Sequence, residues 1–300
     1  MTGETPLLRA SAIDAPVKGI FYLALGGLFL TVADAVLKWL STSVPPGELL
    51  AGRTGVTLML TIIVALRSSA PLAALRTRNL RDQIGRGVCA AVFSFLMIEA
   101  FRRMPLADVY SILFAAPFLL AALAPRLLDE KVGADRWFAI ALGFAGVVLM
   151  LRPTGEGIRW AALFAVACAA ISTFRDIFNR RLIATDTSLA IQLYTNVAVT
   201  AAGLATLPFA FVPIGWFDLG LIALCGVIQF VGQYFFVDAF RYAPATALAP
   251  FKYILLVWAL AVGFVVWGDR PDGWSLAGTA LIVGSGLFML ARSRRPAPAA

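Results

Sequence analysis

The residues able to do chemistry in this chain are few, and most sit in apolar surroundings. Lys252, in the run Ala249-Pro250-Phe251-Lys252-Tyr253, places an ammonium inside a stretch otherwise suited to lipid. A charge at membrane depth is costly and by default marks a substrate contact, an ion pathway or an ion pair. Within or just at the apolar runs stand the acids Asp34, Glu99, Asp176 and Asp238 and the bases Lys38, Arg53, Arg175 and Lys252. Four acids against four bases predict mutual pairing. Asp34 and Lys38 are spaced i, i+4 and can pair along one helix. Glu99 and Asp238 lie near run ends, within reach of neighbouring arginines. One of these carboxylates is also a candidate carrier of a coupling proton.

The other polar residues in apolar runs favour binding over bond-making. Gln192, Asn196, Gln229 and Gln233 offer paired donors and acceptors, and Tyr194, Tyr234, Tyr253 and Trp258 offer flat surfaces for stacking. With Arg53 and Lys252 added, the candidate substrate-binding set is Arg53, Gln192, Tyr194, Asn196, Gln229, Gln233, Tyr234, Lys252 and Tyr253. The candidate coupling or ion-pair set is Asp34, Lys38, Glu99, Arg175 and Asp238. The sequence has no histidine, which removes the commonest general base and metal ligand. Cys89, Cys168 and Cys225 lie in apolar runs without Cys-x-x-Cys spacing and read as packing residues. No catalytic residue, metal site or cofactor is assigned, and the expected partners are a small-molecule substrate and membrane lipid.

Composition says what must position these residues. The 300 residues are 60% hydrophobic and 14% charged, with a mean hydropathy of +0.85. Soluble domains carry about 25% charged residues, so the chain reads as an all-α membrane protein. Its net charge of +8 does not read as nucleic-acid binding, because the bases cluster between apolar runs, where cytoplasmic anchoring explains them.

A spanning helix takes about 20 apolar residues. Ten segments qualify, near 18–40, 47–66, 84–101, 106–128, 134–151, 157–178, 188–212, 216–240, 245–267 and 274–291. With the N-terminus inside, sixteen lysines and arginines fall on the inner segments and six on the outer ones, which predicts that both termini are cytoplasmic. Residues 1–17 and 292–300 then form cytoplasmic tails. At helical period, Thr57 and Thr61 share a face with Arg53. Cys168, Ser172 and Asn179 share one with Arg175, and Ala245, Ala249, Ala259 and Gly263 share one with Lys252. These polar or small faces are expected to point inward, where small residues let helices approach.

The chain also repeats itself. Glu99-Ala100-Phe101-Arg102 and Asp238-Ala239-Phe240-Arg241 are 139 positions apart, as are Pro105 and Pro244, and Met150-Leu151 and Met289-Leu290. An odd number of spans per half inverts the second copy, giving two inverted five-helix repeats over 18–151 and 157–291, a construction that places substrate near the midplane. Pro105 and Pro244 suit helix starts. Pro117 and Pro250 fall inside spans and are candidate kinks or hinges. Lys252 has no echo, since the same offset pairs it with Leu113.

Several motifs resemble the drug/metabolite transporter superfamily, specifically its EamA-type members with two five-helix repeats. They are Glu130-Lys131-Val132-Gly133 with Trp137, Leu149-Met150-Leu151-Arg152-Pro153, Ala249 to Tyr253 with Trp258, Gly268-Asp269-Arg270-Pro271, and the glycines Gly278, Gly284 and Gly286 of the last span. Where the family usually has Gly-Glu ahead of its fifth and tenth helices, this chain has Asp129-Glu130 and Gly268-Asp269. The retained carboxylate is expected to favour the following helix N-terminus. The resemblance implies a multi-pass transporter of the bacterial inner membrane, with a cavity opening alternately to each side. Its ninth span looks most like the subgroup that takes up riboflavin or S-adenosylmethionine, and the amides and aromatics suit a flat, uncharged ring. Export of amino acids or toxic organic compounds stays open. A membrane-embedded transferase would need a histidine or acidic metal motif at one membrane surface, and none is visible.

Overall fold

The computed structural model describes residues 6–67, 75–119, 122, 134–151, 160–183, 185–243 and 248–293. Ten α-helices run through these residues: α1 (Pro6–Leu40), α2 (Pro46–Leu66), α3 (Leu80–Arg103), α4 (Leu106–Leu113), α5 (Ala134–Leu151), α6 (Trp160–Ile183), α7 (Ser188–Thr206), α8 (Trp216–Asp238), α9 (Ile254–Trp267) and α10 (Gly273–Ser293). Among the described residues seven helical stretches are long and apolar enough to cross a membrane, the last of them Pro250–Trp267, and Leu106–Leu119, Trp137–Leu151 and Gly273–Met289 are shorter apolar helices. The Glu130 to Gly133 run, Pro153 and Pro244 lie outside the described residues.

Helix ends follow local chemistry. The Thr187 hydroxyl accepts the Ala190 N–H at 3.1 Å and opens α7, and Asn79 accepts from Asp82 and opens α3. α7 stops at Thr206, short of the expected residue 212, where Pro208 brings no N–H to continue the hydrogen-bond ladder. Pro117 has no N–H for the Leu113 carbonyl, and α4 accordingly breaks at Leu113, with a turn at Phe114–Ala115 before helix resumes at 116. Residues Ala249–Tyr253 wind as a 3₁₀ turn through Pro250, so α9 begins at Ile254 and not near 245. α1 extends back to Pro6, well before the expected start at Lys18.

The helix pairings close a ring. In order around it run α1, α8, α2, α7, α3, α6, α4 and α9, and α9 returns to α1; α5 and α10 pack on each other and against α4 outside the ring. Exchanging each helix with the one five places on maps the ring of eight onto itself: α1–α8 exchanges with α6–α3, α2–α8 with α7–α3, and α1–α9 with α6–α4.

Two faces of the bundle can be told apart by which ends meet. Lys38, at the end of α1, contacts Met104 between α3 and α4 and Asp269 between α9 and α10. Glu48, at the start of α2, accepts the Val212 N–H ahead of α8 at 2.6 Å on the same face. On the opposite face, Asp186, between α6 and α7, accepts hydrogen bonds from Thr77, the Arg78 N–H (3.0 Å) and Gln83 (2.8 Å) around the start of α3. Thus α1 ends on the Lys38 face, whereas α6 ends on the Asp186 face. Trp39, Trp160, Trp216 and Trp274 stand exposed at helix ends on the Lys38 face, as interfacial tryptophans do.

Between apolar helices in lipid no hydrophobic gain remains, so close approach and dispersion hold them together. Gly87 on α3 and Gly226 on α8 are 139 positions apart, and each lets its helix approach the next: a Cβ on Gly87 would meet Ala198 Cβ at 2.7 Å, and one on Gly226 would meet the Arg53 carbonyl at 2.6 Å. Buried threonines satisfy themselves on their own helices: Thr31 bonds the Gly27 carbonyl, Thr57 that of Arg53 and Thr61 that of Thr57, at 2.8–3.1 Å. Most of the threonine face beside Arg53 is therefore packing. Substituting Gly226→Val forces α8 away from α2 and is expected to cost about 1–3 kcal/mol. Gly220→Ala, with nothing within 4 Å of the new methyl, changes stability little. Thermal unfolding of the detergent-purified variants checks both.

Candidate functional site

Three helices that are not neighbours around the ring send side chains to one point. Asp34 on α1 receives the Tyr110 hydroxyl of α4 at 2.6 Å on Oδ2, and Arg53 Nη1 of α2 lies 3.7 Å from its Oδ1. α8 separates α1 from α2 in the ring, and α9 separates α1 from α4. The three side chains therefore meet across the interior. Tyr110 is buried and stacks obliquely on Phe101 of α3, 6.4 Å between ring centres. Arg53 is only 7% exposed. Cys225 of α8 donates to the Ala33 carbonyl beside this point at 3.2 Å.

Asp34 pairs across helices, which corrects the expectation that it pairs with Lys38 along α1. Lys38 turns away instead: Nζ donates to the Met104 carbonyl at 3.0 Å, lies 3.6 Å from Asp269 and sits 4.5 Å from the centre of the Trp267 ring. One helical turn is enough to divide the two residues, because Asp34 reaches the ring interior and Lys38 the rim. This also changes the reading of Asp269. The residue that supports the α10 N-terminus is Asp272, whose carboxylate accepts the Ser275 N–H at 2.8 Å, while Asp269 is the partner of Lys38. Pro105, Asp108, Ala259, Gly263 and Asp269 line a small hollow at this rim.

The remaining charged candidates serve helix ends and packing. Glu99 bridges to Arg102 at 3.2 Å and to Arg103, and Asp238 bridges to Arg241 at 3.1 Å, as their positions predicted. These are the same bond at equivalent places in the two halves, since Arg102 and Arg241 are also 139 apart. Arg175 stacks over Phe93 of α3 at 4.7 Å, and the rest of its face packs likewise: Cys168 bonds the Phe93 carbonyl at 3.6 Å, and Asn179 accepts from Arg86.

The amides fall on two adjacent helices of the ring. On α7, Gln192 and Tyr194 are half-buried and Asn196 is buried, with Nδ2 left without a partner. On α8, Gln229 has its Oε1 sealed and unpartnered, and Gln233 is half-buried. Tyr234, by contrast, is 54% exposed and edges onto Phe235, 5.9 Å between ring centres. Lys252 and Tyr253 are half-buried. Both lie in the 3₁₀ turn before α9, so the expected α-helical face shared with Ala249 and Ala259 does not form. A 3₁₀ turn takes three residues and rises about 2 Å per residue, which rotates Lys252 off that line. The Tyr253 ring packs 4.9 Å from Phe114, at the break before Pro117.

Tyr110 is the residue absent from the sequence reading, and Asp269 the one that reading gave to a helix end alone. A tyrosine early in a span carries a hydroxyl that needs a partner once buried, and that alone singles out Tyr110. Nothing local pairs Asp269 with a lysine 231 positions away.

Comparison with known proteins agrees with this architecture. The EamA-like transporter family matches the chain twice, over residues 17–152 and 159–291. A riboflavin transporter of Rhizobium johnstonii is 28% identical over 289 residues, covering 94% of this chain and 95% of that one. A pseudopaline exporter of Pseudomonas aeruginosa is 24% identical over 273 residues, 90% and 95% of the two chains. An S-adenosylmethionine uptake transporter of Rickettsia prowazekii is 25% identical over 186 residues, 62% and 63% of the two. A solved crystal structure shares the fold with a TM-score of 0.62 at 20% identity, over 94% of this chain and 99% of that one.

Removing Asp34 strands a buried guanidinium, so Asp34→Ala is expected to lower stability by about 3 kcal/mol, and Asp34→Ala with Arg53→Met to recover most of the loss. Thermal unfolding of the single and double variants reads this directly. At the opposite face, burial would raise the Asp186 carboxyl, but the hydrogen bonds from the Arg78 N–H, Thr77, Gln83 and Thr185 outweigh it and hold the group below the usual carboxylate range. Its contribution is complete above the unfolded value of about 3.9 and is lost as pH falls through the lower folded one. Because the carboxylate is only partly buried, Asp186→Ala is expected to cost about 1 kcal/mol at pH 7. Melting curves across pH should show the gap to the unmodified protein unchanged down to about pH 5 and narrowing below about pH 4.

Proposed function

Because the chain belongs to the EamA-like transporter family, we propose that it takes up a flat, uncharged organic metabolite of the riboflavin type across the bacterial inner membrane by alternating access. The observation that carries this reading is the meeting of Asp34, Arg53 and Tyr110 from three non-adjacent helices inside a closed ring of eight. A polar point enclosed by helices is where a membrane protein can receive a polar cargo without exposing it to lipid. Asp34 and Arg53 offset each other's charge, which favours a neutral cargo over a strongly charged one.

The reading extends to the architecture. Two inverted five-helix repeats over 18–151 and 157–291 are supported by the paired family matches, by the symmetric helix pairings and by α1 and α6 ending on opposite faces. Cytoplasmic termini are supported by the distribution of lysine and arginine, which puts the Asp186 face inside and the Lys38 face outside. Lys38–Asp269 and the hydrogen bonds of Asp186 then sit at opposite rims, where each would part as its side opens. Binding rests on Arg53, Asn196, Gln229 and Gln233, with Gln192, Tyr194, Tyr234, Tyr253 and Lys252 as further contacts. The riboflavin transporter relative supports the cargo, and the S-adenosylmethionine uptake relative supports the direction.

Reconstitution into proteoliposomes tests this. Saturable riboflavin uptake is expected, reduced about tenfold or more by Arg53→Gln and by Lys252→Ala in variants that still insert. Absence of saturable uptake for both riboflavin and S-adenosylmethionine would overturn the uptake reading, and efflux from loaded vesicles would replace it with export, as in the pseudopaline exporter relative.

A further inference from the structure

Most buried hydroxyls in the ring spend their hydrogen bonds on backbone carbonyls or on each other. Among the described residues six buried polar side-chain atoms do not; Glu48 Oε2, Gln83 Oε1 and Asp269 Oδ2 lie at or just beyond helix ends, near the two rims, and the other three lie deeper. Arg53 Nε, Asn196 Nδ2 and Gln229 Oε1 are sealed from the surface without a hydrogen-bond partner. Arg53 and Asn196 are 7% and 5% exposed. A buried polar group left unpaired costs about 1–3 kcal/mol, and hydrocarbon offers no water to relieve it.

The three residues sit on α7, α2 and α8, consecutive members of the ring, with α2 in the middle. Gly226, three residues before Gln229 and on the same side of α8, packs on the Arg53 carbonyl and Val56. Thr200, one turn from Asn196 on α7, shares a 2.8 Å hydrogen bond with Thr54, next to Arg53. α8 runs parallel to α2 and α7 antiparallel to it, so from the level of Arg53 toward the Asp186 face Gln229 stands about 5 Å along and Asn196 about 8 Å along, which sets Gln229 between the other two in height. Arg53 spends its Nη1 on Asp34, and that pairing leaves Nε over while neutralising the guanidinium charge.

The unpaired set is a donor, an acceptor and a donor, and it carries no net charge. We propose that Arg53, Gln229 and Asn196 read the imide edge of a flat heterocycle, the C(=O)–NH–C(=O) face carried by flavins, pteridinediones and uracils. The Arg53 Nε–H donates to one ring carbonyl, Asn196 Nδ2–H donates to the other, and Gln229 Oε1 accepts the ring N–H between them. A carboxylate fits the set poorly, because it offers acceptors alone and would face Gln229 Oε1 with another oxygen. This inference rests on the transporter reading and narrows its cargo to a class defined by one edge.

The test uses the full-length protein in detergent, riboflavin and N3-methylriboflavin, and flavin fluorescence as the binding signal. Methylation at N3 removes the central donor and leaves the ring and both carbonyls. N3-methylriboflavin is expected to bind at least about tenfold more weakly than riboflavin. Gln229→Leu is expected to weaken riboflavin and leave N3-methylriboflavin nearly unchanged, which closes the gap. Asn196→Leu is the second variant, weakening both flavins alike, and it keeps the test decisive should Gln229→Leu not fold. Equal binding of the two flavins to the unmodified protein overturns the edge while leaving riboflavin uptake intact. Unchanged riboflavin affinity in both variants also overturns it, assigning the three atoms to buried water. Binding of neither flavin overturns the cargo reading itself.

Discussion

The structure depends on one constraint: inside lipid, a polar group must find its partner within the protein. Eight helices close into a ring, and at its interior the Asp34 carboxylate is held by Arg53 and Tyr110 from two other helices. Each of the three would be costly alone at that depth. Together they tie α1, α2 and α4 across the interior, so the polar point and the ring geometry require one another. The outer pair, α5 and α10, packs through close backbone approach, a Cβ on Gly146 meeting the Gly278 carbonyl at 2.8 Å, and Thr279 of α10 finds its partner in Ser111 of α4.

The rims use a different chemistry from the interior. At the Lys38 face an ammonium joins a carboxylate, a backbone carbonyl and an indole ring, drawing together α1, the α3–α4 junction and the loop before α10. At the other face a carboxylate gathers an N–H, a hydroxyl and an amide from around the start of α3. Interactions near water are individually modest, and are suited to being made and broken. The interior set is more expensive to disturb. That gradient, firm in the middle and exchangeable at the rims, is the one that the proposed alternating access would use.

The repeat is carried by small features. The Glu99–Arg102 and Asp238–Arg241 pairs, and Gly87 and Gly226, occupy equivalent places in the two halves and do the same work there. Where the halves differ, the chemistry differs. Arg53 and Asp34 have Gln192 and Thr173 at the 139-residue offset, so the interior charges belong to the first half and the amides to the second. The asymmetry first visible at Lys252 is therefore broader than one residue.

Much of this was legible in the chain. Apolar length located the helices, the 139-residue offset related the halves, and the spacing of Glu99 and Asp238 to their arginines predicted those bridges, because helix formation and i, i+3 or i, i+4 pairing are local. The prolines marked the breaks at Leu113 and before Ile254, though not that the second would be a 3₁₀ turn that carries Lys252 off its expected face. Partner choice was not legible. Asp34 and Lys38 satisfy every local rule for pairing with each other, and only the ring, by setting Asp34 inward and Lys38 at the rim, sent them to Arg53 and Asp269. The amides could be named from sequence as costly in lipid. That Asn196 and Gln229 keep an atom unpaired, while most of the buried threonines around them do not, was decided by which helix lies opposite each one, a property of the packed bundle and not of any one segment.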